Sequence, residues 1–279
     1  MFGLITIAGA QSVPAASFFG RWQARATATQ DLQPHWATPL VTSTPRIDQA
    51  MRMEFVRQTN TKLYETWNYG SSKGLELIPA RNVEVIVGVP PFFSHTQPGV
   101  KDGFGDVWFE GKYRIFSRNE EHGNAVVTAI VRATVPTGKD ANGSCCAVVT
   151  PTIGMGKGFG RMDLMSTLGG ALPVTNAFGL GRSMTWNTAA QYRVGLGHVT
   201  RLLVPEVEFN SSFYHGGPND GKIATFGTVG MLVGRIPLSH DASGKPGRQA
   251  MTFGAGEQIA LTHFHTYNHA IVLTLRLPF

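Results

Sequence analysis

Residues Gly105 to Phe116 read Gly-Asp-Val-Trp-Phe-Glu-Gly-Lys-Tyr-Arg-Ile-Phe, and they divide cleanly by parity. Val107, Phe109, Gly111, Tyr113 and Ile115 form one set; Asp106, Trp108, Glu110, Lys112 and Arg114 form the other. A period of two is that of a β-strand, whose successive side chains leave on opposite faces. One face is apolar and the other carries charges of mixed sign. A soluble sheet with a one-sided core shows this alternation. So does a membrane barrel, with the faces reversed so that the apolar set meets lipid and the charged set a polar lumen.

Similar segments recur between turn-forming residues. They span 47–58, 82–89, 124–136, 147–158, 161–173, 183–195, 203–213, 222–235, 249–262 and 267–279. In 249–262 Glu257 falls on the apolar set, which suggests a bulge or a different register there. Glycines 158 and 160 suggest a tight turn between 147–158 and 161–173. No stretch longer than a turn or two shows helical periodicity. The segment 24–43, with Pro34 and Pro39, reads as an extended arm. Parity supplies a further strand: a barrel with an even number of strands and both termini on one side needs a returning strand between Thr59 and Arg81. The expected fold is all-β, a transmembrane antiparallel up-and-down barrel of about 12 strands over 44–279. Residues 1–43 form a truncated signal-like segment and the arm. Residues 1–16 are apolar and small but lack the basic start of a secretory signal, since no Lys or Arg precedes Arg21.

Composition separates the alternatives. Charged residues make up only 15% of the 279 residues, and Gly reaches 33, below and above soluble averages. No apolar run reaches the ~18 residues of a membrane helix. The strands run to about 10–13 residues, long for a soluble sheet and suited to a tilted span. Aromatic pairs such as Trp67/Tyr69, Phe92/Phe93 and Phe213/Tyr214 fall at strand ends, as interfacial girdles do. A net charge of +6 without any Lys/Arg-rich run argues against nucleic acid. The adjacent Cys145 and Cys146 have neither disulfide geometry nor zinc spacing.

Chemistry-bearing motifs are sparse. Every Gly-Lys pair lacks the following Ser or Thr of a phosphate loop. The glycine-rich Gly154–Gly160 opens no helix and reads as a source of tight turning and strand curvature. His263, His265 and His269 lack the further ligands of a metal site. Ser211, Ser212 and His215 are the nearest set to a nucleophile and base, but no nucleophile elbow is present. The expectation is therefore no enzyme, no metal and no cofactor. What remains is a set of lumen-facing candidates: Arg52, Glu54, Glu84, Asp106, Glu110, Lys112, Arg114, Arg132, Arg193, Glu206, Glu208 and Arg276. Side chains of this length nearly fill so narrow a barrel.

Four stretches resemble the bacterial outer-membrane barrel family linked to meta-pathway phenol degradation: Lys73–Pro79, Val87–Pro91, Gly103–Arg114 and Val135–Gly138. The final Leu275–Phe279 resembles the terminal aromatic signal through which barrel-assembly machinery recognises its clients. The resemblance covers about residues 44–279. It implies an outer-membrane channel or transporter for a small aromatic or hydrophobic solute, surrounded by outer-membrane lipid. Two other readings compete: a soluble secreted β-sheet ligand-binding protein, and a barrel enzyme acting on lipid.

Overall fold

The computed structural model describes residues 17–70, 73–175, 177–195, 203–238 and 250–279. The expected signal-like segment lies outside the described residues. The strands are β1 (Ala50–Thr59), β2 (Glu65–Tyr69), β3 (Gly74–Ala80), β4 (Val83–Gly88), β5 (Phe92–His95), β6 (Gly103–Phe104), β7 (Val107–Arg118), β8 (Ala125–Val135), β9 (Val148–Phe159), β10 (Met162–Pro173), β11 (Arg182–Tyr192), β12 (Leu203–His215), β13 (Ile223–Pro237), β14 (Ala250–Ala260) and β15 (His269–Pro278). All pairings are antiparallel. β15 returns to pair with β1 from Ala50↔Pro278 to Thr59↔His269, so the sheet closes without an edge, the arrangement that permits strands to cross lipid.

The closed ring has 12 strands: β1, β3, β4, β7 and then β8 to β15 in sequence order. The short β2, β5 and β6 continue β3, β4 and β7 beyond interruptions at 70–73, 89–91 and 105–106. They pair with one another and with the far half of β1. The returning strand required by parity is thus β2 and β3 together, broken after Gly70, whose φ of 89° is the left-handed conformation that glycine tolerates. The connection 90–103 carries β5 and begins β6. Pro90 and Pro91 cannot donate to a ladder, which accounts for the break there.

The two faces are the reverse of a soluble sheet. On β7, Phe109, Tyr113 and Ile115 are 46%, 55% and 57% exposed, whereas Glu110, Lys112 and Arg114 are 4%, 4% and 3%. Outward apolar residues continue around the ring, among them Val85, Val131, Leu168, Trp186, Val229 and Leu273.

Three sequence expectations are corrected. Residues Phe18–Gln30 form a helix, α1, capped by the Ser17 hydroxyl, which accepts from Gly20 N at 3.1 Å. Its 13 residues escaped the periodicity test because only Ala26 and Thr29 are buried on it. Glu257 lies outward in an unbroken β14 register, 3.7 Å from His269; the irregularity is in β13, between Val233 and Ile236. The β9–β10 turn is Gly160–Arg161, with Gly160 at φ 61°, while Gly158 lies within β9.

Candidate functional site

From α1 the chain runs as irregular backbone to Gln49, and most of this segment is buried. It touches β1, β4, β7, β8, β12 and β15, strands from opposite sides of the ring, so it occupies the lumen. Buried backbone outside a ladder needs partners for its N–H and C=O groups, and the wall supplies them with acidic, basic and hydroxyl side chains. Glu206 Oε1 accepts from Leu40 N at 2.9 Å. The two oxygens of Glu208 take Val41 N at 2.8 Å and Thr42 N at 2.5 Å, and Glu84 takes Asp48 N at 2.6 Å. Donors come from the other wall: Arg52 to Pro39 O at 2.7 Å, Arg114 to Thr29 O at 2.7 Å, and Thr128 to Pro45 O. The guanidinium bonds of Arg52 and Arg114 are charge-assisted, roughly twice as strong as neutral ones. Gln33 folds the segment back on itself, donating to Ile47 O at 2.6 Å and accepting from Ile47 N at 3.0 Å.

A second set of buried groups pairs up on the β15–β1–β3–β4–β7–β8 arc. Arg276 Nη2 lies 2.6 Å from Asp48 and 3.1 Å from Glu76. Lys112 lies 3.1 Å from Glu84, Arg132 2.7 Å from Glu110, and Lys73 3.6 Å from Glu54. Arg46 of the inner segment joins Asp48 at 3.0 Å. Arg132 also stacks over the Trp108 ring, 4.3 Å from its centroid.

Packing complements this polar clamp. A Cβ at Gly254 or Gly256 would lie 2.8 or 2.6 Å from Leu40 methyls, and one at Gly230 closer still. Together the three glycines form a socket for that side chain. Gly156 faces the Trp36 ring in the same way, and Gly154 faces Pro45. Trp36 Nε1 donates to Asn124 Oδ1 at 2.8 Å. The inward glycines of Gly154–Gly160 therefore make room for the segment.

Asp106 and Arg193 are placed differently from the other ten candidates. Asp106 holds the β8–β9 connection, accepting from Thr137 N (3.1 Å), Gly138 N (2.9 Å) and Ser144 N (2.8 Å). Arg193 sits at the end of the barrel that bears the termini, 3.1 Å from Asp163. The remaining ten are grouped on or beside the inner segment. Sequence reasoning missed that segment's own members, Trp36, Leu40, Arg46 and Asp48, and the wall residue Glu76.

Two further motifs resolve simply. Ser211 bonds Thr225 at 3.0 Å, whereas the strongly exposed His215 lies 3.7 Å from Asp220, so no nucleophile–base pair is assembled there. His265 bonds Thr262 O at 2.8 Å and Asn268 at 3.0 Å. Among the described residues no three His, Cys, Asp or Glu converge as metal ligands would.

Space remains beside the segment. A cavity of about 390 Å³ opens at the end where β1 starts and β15 finishes, between Thr38, Arg46 and Asp48 of the segment and Val204, Gly234, Thr252 and Arg276 of the wall. Towards the opposite end, Gln258 joins Thr228 and Asn210, each at 3.1 Å, and accepts from Tyr267. Asn210 in turn reaches Thr42 at 3.2 Å.

No protein-family model and no curated protein matches the chain. Among solved structures it is similar to the crystal structure of the COG4313 outer membrane channel from Pseudomonas putida F1, with a TM-score of 0.61. The two share 12% sequence identity over 88% of this chain and 100% of that one. At that identity the likeness is one of fold.

Proposed function

We propose that the chain is a channel or transporter of the bacterial outer membrane, for a small aromatic or hydrophobic solute, with residues 18–49 as a plug in its lumen. The observation that carries this reading is the inversion of faces on a closed ring: charged side chains buried inside, apolar side chains exposed all round. Water would penalise such a surface by about 25 cal/mol for each Å² of apolar area left exposed; lipid removes the penalty. The fold shared with an outer-membrane channel supports the same reading. The end where β1 starts and β15 finishes then faces the periplasm, and the 89–106 connection faces outward. Phe279, whose N–H reaches Gln49 O at 3.3 Å, is the residue through which the assembly machinery would read the barrel. The solute class rests on the family resemblance and on the apolar layer around Leu40.

The test is electrophoretic mobility of the detergent-extracted chain with and without boiling, followed by conductance after reconstitution into planar bilayers. Faster migration unboiled and discrete conductance steps support a membrane channel. A protein that stays monomeric in plain buffer and shows no heat shift would overturn it in favour of a soluble ligand-binding protein.

A further inference from the structure

Resting on the channel reading, we propose that passage runs along one side of the plug, between it and the β12–β15 wall, and that Leu40 is the gate of that passage. The axial order of side chains is the same on three strands. On β14, Thr252 borders the cavity, Gly254 and Gly256 seat Leu40, and Gln258 belongs to the polar network beyond. On β13 the order is Gly234, Gly230, Thr228. On β12 it is Val204, then Glu206 holding the Leu40 N–H, then Asn210. Inward residues on one strand are spaced about 6.6 Å apart, and two inward positions on each strand separate the cavity from the network: Gly254 and Gly256, Leu232 and Gly230, Glu206 and Glu208. At this level Leu40 packs with Val56, Val204, Leu232, Ala270 and Val272, while the Glu206 and Glu208 carboxyls are taken up by N–H groups of the segment itself.

The other side of the plug offers no comparable route. There Glu76, Glu84, Lys112, Glu110 and Arg132 are held in buried ion pairs, a network that meets the cavity only at its edge, through Asp48 and Arg276. An apolar solute entering that layer would strip charges of their partners, at several kcal/mol for each ion. Against Leu40 it exchanges one apolar contact for another. The glycine socket makes this local: the Leu40 backbone is held by Glu206, while its side chain sits on a floor without side chains. An apolar constriction of this kind stops ions by excluding water.

The experiment is conductance of the full-length chain in planar bilayers, comparing wild type with Leu40→Asn and Leu40→Met, alongside protease protection of residues 18–49. Leu40→Asn is similar in size and wets the constriction, so its ionic conductance should rise several-fold over wild type with the segment still protected. Leu40→Met, which keeps the level apolar, should raise it far less than Leu40→Asn does. A wild type that conducts and a Leu40→Asn variant that conducts equally would place the path elsewhere, overturning the gate but leaving the channel. A rise accompanied by lost protection would mean that plug release limits passage, and would also overturn it. Failure of every variant to enter bilayers would remove the channel reading and the gate together.

Discussion

Arg276, three residues from the end of the chain, places its guanidinium 2.6 Å from the carboxylate of Asp48, two residues before the first strand begins. The same guanidinium reaches Glu76 on β3 at 3.1 Å and the Thr38 hydroxyl. One side chain thus joins the last strand, the second strand of the ring and the plug. Removing one partner of a buried pair leaves an uncompensated charge, at a cost of about 3–5 kcal/mol. Asp48→Asn should therefore undock the segment, read as faster trypsin cleavage within residues 18–49, with the heat-shifted barrel band retained. Unchanged protection would show that the backbone clamp from Glu206 and Glu208 suffices alone.

Gly156 lies under the Trp36 ring with no room for a Cβ. Gly156→Val should shift Trp36 away from Asn124 and cost about 1–3 kcal/mol, the range for an overpacked core. The near-ultraviolet circular dichroism of the folded protein should lose intensity. An unchanged spectrum would mean that the ring is free to relocate without cost.

At the terminus-bearing end, Glu120 in the β7–β8 turn accepts from His35 N at 2.6 Å and meets its ring nitrogen at 3.0 Å. Burial alone would push the carboxyl up, but the bonds from His35 outweigh it and hold Glu120 below its ordinary value of 4.5. A carboxyl with a lowered folded value contributes stability above its unfolded value and loses it as pH falls through the folded one. Protease protection of the segment near His35 should weaken on acidification below about pH 4.5. Glu120→Gln should flatten that dependence, and a profile identical to wild type would assign it to other groups.

Val85 and Leu273 each expose 38% of their surface outward. Arg at either site should cost about 2–4 kcal/mol if it meets the bilayer midplane, measured by folding into lipid vesicles. Glu110→Arg is a separate case, because it places a cation beside Arg132 and Lys112. It should disrupt the barrel interior at least as severely. Full tolerance at Val85 and Leu273 would mean that those positions do not contact lipid.

The ring was legible because its signal is local. Most strands announce themselves through parity, as β7 does with Glu110, Lys112 and Arg114 against Phe109, Tyr113 and Ile115; eleven such segments were countable, and the twelfth came only from requiring an even ring. The plug was not legible. Between Gln33 and Gln49 burial follows no period, because irregular backbone inside a barrel is covered from every side. Trp36, Leu40 and Asp48 are scattered among prolines and threonines that read as a solvated arm. A signal did exist in the wall: inward glycines at 154, 156, 230, 254 and 256 are unneeded for curvature alone, and they mark where something else must fit. The lumenal charges were likewise visible as residue types, but their partners were not. Several of those partners are backbone groups of the plug, which no side-chain pattern reveals.

The join between β1 and β15 sets an order of events during biogenesis. The ring closes by pairing the first strand with the last, across nearly the whole length of the chain, so its completion waits for the final residues to arrive. The plug, by contrast, precedes every strand and is available throughout. Since Arg276 meets Asp48 from within β15, sealing the seam also brings in the side chain that anchors the plug, and a barrel whose lumen was still empty would leave that guanidinium with Glu76 as its one carboxylate.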